Sequence, residues 1–151
     1  GMNLLPASVH DGPSGRHLRL PMVDVPLTPA MLTALGGRTR VLAGIRPEHF
    51  QHVDLVGDAR PAGATFRAPV DVIEWMGAEL FVHLPYRDPG GFSRELAGLG
   101  RDLAAATTPT SALVARLDPA SPVRERRVAD LWMDTRHLHL FDPETGLNLT
   151  R

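Results

Sequence analysis

Residues 66–84 read FRAPVDVIEWMGAELFVHL, two extended stretches on either side of a short segment that contains Gly77. Along the first stretch, Phe66–Trp75, consecutive side chains would point to opposite faces of a strand. One face would carry Val70, Val72 and Glu74, and the other Asp71, Ile73 and Trp75. Neither face is purely apolar, which predicts a strand that is covered on both sides.

Similar strand-like stretches occur along most of the chain, separated by turns. The sequence has 14 glycines and 14 prolines, and these residues bound short runs of alternating or β-branched residues. We predict further strands at Leu4–His10, His17–Leu20, Val41–Ile45, Gln51–Val56, Leu80–Leu84, Ala112–Leu117, Ala129–Met133 and His137–Phe141, with a last short one at Gly146–Thr150. Closing such a sheet removes its exposed edges, so the predicted fold is mainly β, a small barrel with one or two short helices.

Two stretches have helical patterns instead. Thr28 is a suitable N-cap for a helix over Pro29–Leu35, which the following Gly36-Gly37 would end. A longer helix is predicted over Phe92–Leu103, because apolar residues recur there at spacings of four, three and four.

The residue types that are missing exclude several classes of chemistry. The 151 residues include no cysteine and no lysine, so all 16 basic residues are arginine. Without cysteine the chain has no disulfide, thiolate nucleophile or cysteine-ligated metal. Without lysine it has neither a Schiff-base residue nor the phosphate-binding lysine of a P-loop. We therefore predict no catalytic residue here, and any ATP hydrolysis would belong to another domain.

Histidine and arginine clusters give no specific signal of a ligand. His137 and His139 would project from one face of a strand, but no third ligand follows at a signature spacing, so neutral structural histidines are favoured over a metal site. Arg124, Arg126 and Arg127 lack the interleaved aromatic residues that nucleic-acid binding uses. The aromatic share of 5% and the net charge of −1 likewise predict no nucleic-acid partner.

Two turn-like motifs are more informative. In GIRPEH, residues 44–49, the bend that Pro47 fixes holds an arginine and a glutamate close together, which suits a fixed polar contact. FDPETG, residues 141–146, has the composition of a hairpin turn: the aspartate can accept backbone hydrogen bonds, the proline sets the first corner and the glycine takes the left-handed position.

Four ordered stretches also resemble a known family. They are MNLLPASV (2–9), VLAGIRPEHF (41–50), VIEWMGAELFVHL (72–84) and HLHLFDPETGLNL (137–149). Together they are similar to the C-terminal region of maltose and glycerol-phosphate type ABC importer ATPases, which contains the TOBE domain, an oligonucleotide-binding (OB)-like barrel of the MOP-like group. The resemblance spans nearly the whole chain.

This resemblance implies a non-catalytic regulatory and dimerisation domain from the ATP-binding subunit of a bacterial sugar importer. The implied partners are a second ATPase subunit in a homodimer, the ATPase's own nucleotide-binding domain, the membrane permease subunits and, in some members, regulatory proteins. ATP and Mg²⁺ would bind in the N-terminal domain of the parent, with no cofactor in this chain. The implied location is cytoplasmic, at the inner face of the cell membrane.

Carried over by position, the resemblance marks three motifs as domain or subunit contacts: the loop of Arg46, Pro47, Glu48 and His49, the turn of Gly77 and Glu79, and the hairpin of Phe141, Asp142, Pro143 and Gly146. The alternative is that these residues only hold turns in shape.

Other features concern the extent of the domain and a related function. Residues 85–111 are longer than the usual family connection and predict an insertion, while Gly1 before Met2 is typical of a tag remnant on a piece of a longer protein. A second functional hypothesis is a small-oxyanion module, such as the molybdate-binding domains of related MOP-like proteins.

Overall fold

The computed structural model describes residues 1–87 and 112–151, in which eleven strands form three antiparallel sheets. In chain order the strands are β1 (Asn3–Gly12), β2 (Gly15–Arg19), β3 (Asp24–Pro26), β4 (Arg40–Ile45), β5 (Phe50–His52), β6 (Gly63–Pro69), β7 (Ile73–Met76), β8 (Glu79–Pro85), β9 (Ala112–Leu117), β10 (Val128–Asp134) and β11 (His139–Phe141). The sheets have the orders β11-β4-β1-β2-β3, β5-β10-β6 and β7-β8-β9. The predicted fold class, mainly β with short helices, is confirmed.

The helix predicted at Pro29–Leu35 is confirmed as α1, with the same bounds. The Thr28 hydroxyl accepts a hydrogen bond from the Met31 backbone N–H and so caps the helix. Four 3₁₀ turns join the strands of the described residues: Pro47–His49, Val53–Leu55, Gly57–Ala62 and Thr135–His137. The helix predicted at Phe92–Leu103 lies outside the described residues, as do positions 88–111 of the predicted insertion.

The strand predicted at Phe66–Trp75 is wrong as a single element, since it is β6 and β7 in two different sheets. The backbone changes partner at Val70, whose N–H donates to Arg127 and whose carbonyl accepts from Arg126. The next N–H, that of Asp71, instead donates to the His83 carbonyl in β8. Periodicity alone does not show such a change of partner.

Most other predicted strand ends are shifted by one or more residues, and the short β3 was not predicted. The strand expected at Gln51–Val56 ends at His52, whose Nδ1 accepts from the Asp54 N–H and begins a 3₁₀ turn. The strand expected from His137 begins at His139, because the Asp134 carboxylate caps the preceding turn. Gly146–Thr150 is not a strand and makes one isolated bridge, between Asn148 and Phe141.

One hydrophobic core joins all three sheets and α1. It includes Leu5 from the five-stranded sheet, Leu131 from β10 and Val82 from β8, each with no exposed surface. Of the two tryptophans, Trp132 is buried, whereas Trp75 is 63% exposed at the end of β7. Burial of this continuous apolar surface is the main source of stability.

Candidate functional site

The loop Arg46–His49 leaves β4 as one tight turn, closed by a hydrogen bond from the His49 N–H to the Arg46 carbonyl (3.1 Å). Its entry is fixed by Asn3, whose side-chain amide donates to the Ile45 carbonyl (3.1 Å). Pro47 occupies the first position of the turn, where its fixed φ suits helical geometry. The backbone of the loop is therefore held in place before any partner binds.

His49 packs the loop against the turn that follows β10. Its ring stacks on His137, with centroids 3.9 Å apart and planes 13° from parallel. Within the described residues, the buried His49 Nδ1 has no hydrogen-bond partner. Burial, followed by repulsion from His137, lowers the pKa of His49 below its ordinary value, so the neutral ring is favoured.

Asp134, a buried carboxylate, lies next to His137 of this stack. Its two oxygens accept hydrogen bonds from Nε and Nη2 of Arg136, both at 2.9 Å, and its Oδ2 lies 3.8 Å from His137 Nε2. Burial raises the pKa of Asp134, but the hydrogen bonds from Arg136 outweigh it and the net pKa is below the ordinary value. The ion pair fixes the position of the second turn.

Arg46 and Glu48 are exposed, and neither side chain makes a hydrogen bond or ion pair within residues 1–87 and 112–151. Arg46 lines a cleft of about 600 Å³ that has the apolar side chains of Met2, Phe141 and Leu147 in its wall. Glu48 lines a smaller cleft of about 190 Å³ on the side of Trp132 and Leu55. The loop is therefore a ridge between two clefts, with one charge facing each.

The terminal hairpin Phe141–Gly146 borders the first cleft through its two ends, Phe141 and Gly146. Asp142 holds the hairpin turn, since its Oδ1 accepts from the backbone N–H of Glu144 (2.8 Å) and of Thr145 (3.2 Å). Its Oδ2 accepts from Arg38 Nε at 3.0 Å. The Glu144 hydrogen bond, and then the one from Arg38, lower the pKa of Asp142 below its ordinary value.

Asp142 and Pro143 line a separate groove of about 580 Å³ with Arg38 and Arg40, and this groove shares no lining residue with the cleft that contains Arg46. Gly146 has φ of 74°, the left-handed conformation predicted for it. The Asp142 side chain therefore binds the turn backbone and Arg38. Phe141 and Gly146 instead line the same cleft as Arg46.

Gly77 and Glu79 belong to the second motif, the turn between β7 and β8. Gly77 has φ of 63°, which fits the first central position of a two-residue hairpin turn. Glu79 Oε1 lies 3.5 Å from Arg116 Nη1 on β9. Neither residue borders the clefts of the Arg46 loop, so the structure brings together the first and third sequence motifs but not the second.

Two residues that hold the site were not predicted to do so. Asn3 fixes the loop entry through partners in β4 and β9, and His137, which the sequence suggested only as a metal candidate, is the stacking partner of His49. His137 lies in a 3₁₀ turn and not on a strand with His139. In the part of the chain that the structure describes, no group of three metal-binding side chains comes together.

Comparison with known proteins identifies the domain. Residues 43–141, more than half of the chain, match the TOBE domain family. The chain belongs to this family. The match begins just before the Arg46 loop and ends at Phe141, so the matched range contains the loop and the first residue of the hairpin.

Curated proteins similar to this TOBE domain are subunits of importers. The trehalose import ATP-binding protein SugC of Mycobacterium tuberculosis is 30% identical over 99% of this chain and 38% of its own length. The sn-glycerol-3-phosphate import ATP-binding protein UgpC of Cereibacter sphaeroides is 36% identical over 77% of this chain and 25% of its own. The xylose/arabinose import ATP-binding protein XacK of Haloferax volcanii is 34% identical over 96% and 31%. The chain thus spans less than two fifths of each relative.

Within residues 1–87 and 112–151, no helix is long and apolar enough to cross a lipid bilayer.

Proposed function

We propose that this TOBE domain is the non-catalytic regulatory and dimerisation domain of an ATP-binding subunit of a bacterial ABC importer for sugars. The observation that carries the proposal is the similarity to importer ATP-binding proteins, which for the trehalose protein extends over 99% of the chain. ATP and Mg²⁺ would bind in a further domain of the parent protein, which joins the permease subunits at the inner face of the membrane.

The geometry of the Arg46 loop supports a contact role. Its backbone is held by Asn3 and by the His49–His137 stack, while its two charged side chains are unpaired in the described chain. A rigid loop loses little conformational entropy when a partner orders its side chains. Regulatory proteins that bind the parent could use the same kind of preformed surface.

The proposal is tested by measuring the mass of the chain by light scattering over a wide concentration range. We expect a concentration-dependent increase from 16.4 kDa towards twice that mass. Arg124→Glu is a suitable control for a change of surface charge, because Arg124 is exposed and unpaired in the described residues but lies outside the two clefts. This variant should associate as the unsubstituted chain does. A chain that stays monomeric at every concentration would overturn the dimerisation role.

A further inference from the structure

Arg46 and Glu48 differ from the arginine–aspartate pairs that hold the neighbouring turns. Arg38 pairs with Asp142, and Arg136 with Asp134, each at about 3 Å between the nearest atoms. Arg46 and Glu48 have opposite charges two positions apart on one turn, yet within the described chain they pair neither with each other nor with another side chain. Both charges are thus free to pair with another molecule.

The two side chains border different clefts. Arg46 lines the cleft that contains Leu147, and Glu48 lines the cleft that contains Leu55. Leu147 is 63% exposed and Leu55 40% exposed, so each charge has an uncovered apolar neighbour. An exposed leucine beside an unpaired charge is a composition that suits a protein contact.

In the dimer of the proposed function, on which this inference rests, we infer that Arg46 of each copy pairs with Glu48 of the other across a two-fold axis. A two-fold axis brings the same patch of both copies together. A contact from Arg46 of one copy to Glu48 of the other therefore occurs twice. The loop carries one positive and one negative side chain, so its surface is complementary to the same surface of a second copy. The leucines supply apolar burial, and the two ion pairs set the register of the interface.

Charge reversal tests the pairing, with association measured by sedimentation equilibrium. Arg46→Glu would place two glutamates opposite each other in each pair, and Glu48→Arg two arginines. We expect either single variant to weaken self-association by about tenfold or more. The double variant, Arg46→Glu with Glu48→Arg, restores opposite charges and should associate nearly as the unsubstituted chain does.

Mixing the two single variants provides a sharper readout. A chain with two glutamates and a chain with two arginines would form both ion pairs, so the mixture should yield a heterodimer that is tighter than either homodimer. Simple damage to the fold would not produce this result. Because both side chains are exposed and unpaired in the described chain, all variants should keep the circular dichroism of the original and, at concentrations where every chain is monomeric, its unfolding midpoint.

The outcomes separate the two proposals. A chain without substitutions that does not dimerise contradicts the proposed function itself. A chain that dimerises while both single variants associate normally, or while the mixture shows no preference for the heterodimer, overturns the Arg46–Glu48 pairing and leaves the dimerisation role standing.

Discussion

Gly63 begins β6 opposite Asp134 of β10, and this position has no room for a side chain. A Cβ atom added to Gly63 would overlap the Met133 carbonyl oxygen and lie 2.5 Å from Trp132 Cε2. A backbone carbonyl cannot rotate away as a flexible side chain can, so Gly63→Ala must separate β6 from β10. We expect the free energy of unfolding in urea to fall by about 2–3 kcal/mol.

Gly37→Ala is the matched control, because a Cβ at Gly37 would have no atom within 4 Å. Its free energy of unfolding should stay within about 0.5 kcal/mol of the original. Equal losses for the two variants would show that the close approach at Gly63 does not determine the effect.

Asn3 illustrates what a single residue contributes between sheets. Its side-chain amide donates to the carbonyls of Ile45 (3.1 Å) and Val114 (2.9 Å), and its oxygen accepts from the Val114 N–H (2.8 Å). Asn3→Ala would leave the buried Ile45 carbonyl of β4 and the partly buried backbone groups of Val114 in β9 without these partners. The free energy of unfolding should fall by about 2 kcal/mol, measured in urea. A loss below about 0.5 kcal/mol would mean that water replaces the amide at no cost.

The sequence could not identify Asn3, because its partner in β9 is 111 positions away and is a backbone group that carries no side-chain signal. It did identify Arg46, Pro47, Glu48 and His49, since a proline turn with two opposite charges is a local pattern. The family resemblance added the expectation of a contact, and that role stays a prediction. For Asp142, hydrogen bonds with Glu144, Thr145 and Arg38 support the turn-forming alternative.

At the scale of elements, the contact between the turns Pro47–His49 and Thr135–His137 depends on a neutral His49. Because the pKa of His49 is lower in the folded chain, the unfolded state binds more protons as the pH falls below the ordinary histidine pKa of about 6.5. The free energy of unfolding should therefore be highest above this pH and decrease as the pH falls towards the lowered value.

The measurement is urea unfolding at a series of pH values for the original chain and for His137→Ala. Removing His137 removes the repulsion that contributes to the lowered pKa of His49, so the pH dependence in this range should become shallower, although burial of His49 continues to act. Asp134, whose folded pKa is also lowered, affects stability at more acid pH, as its carboxylate becomes protonated. An identical slope for both chains between neutral pH and pH of about 5 would contradict the stacking argument.

Among the elements, strand positions were predicted better than strand partners. Helix α1 has the predicted bounds because its cap, first proline and final glycines are neighbours in sequence. Phe66–Trp75 was expected to be one strand, because alternation continues through Pro69 and Val70 although the backbone changes from β10 to β8 there. The exposure of Trp75 follows from the same change, which carries the end of β7 beyond the core.

At the scale of the whole molecule, the three sheets share one core, and Asn3 adds a direct link from β1 to β9. An element cannot leave such a core without exposing the apolar surface of the others, so unfolding should be a single cooperative transition.

Trp132 is buried and reports on β10, while far-ultraviolet circular dichroism reports on all the strands. In a Trp75→Phe variant, which leaves Trp132 as the only tryptophan, both signals should give the same urea midpoint. Since Trp75 is 63% exposed, this substitution should itself change stability by only about 0.5 kcal/mol or less. If the circular dichroism transition instead precedes the Trp132 transition, one sheet unfolds before the rest. The sheet we would then expect to unfold first is β7-β8-β9, which Asn3 links to β1.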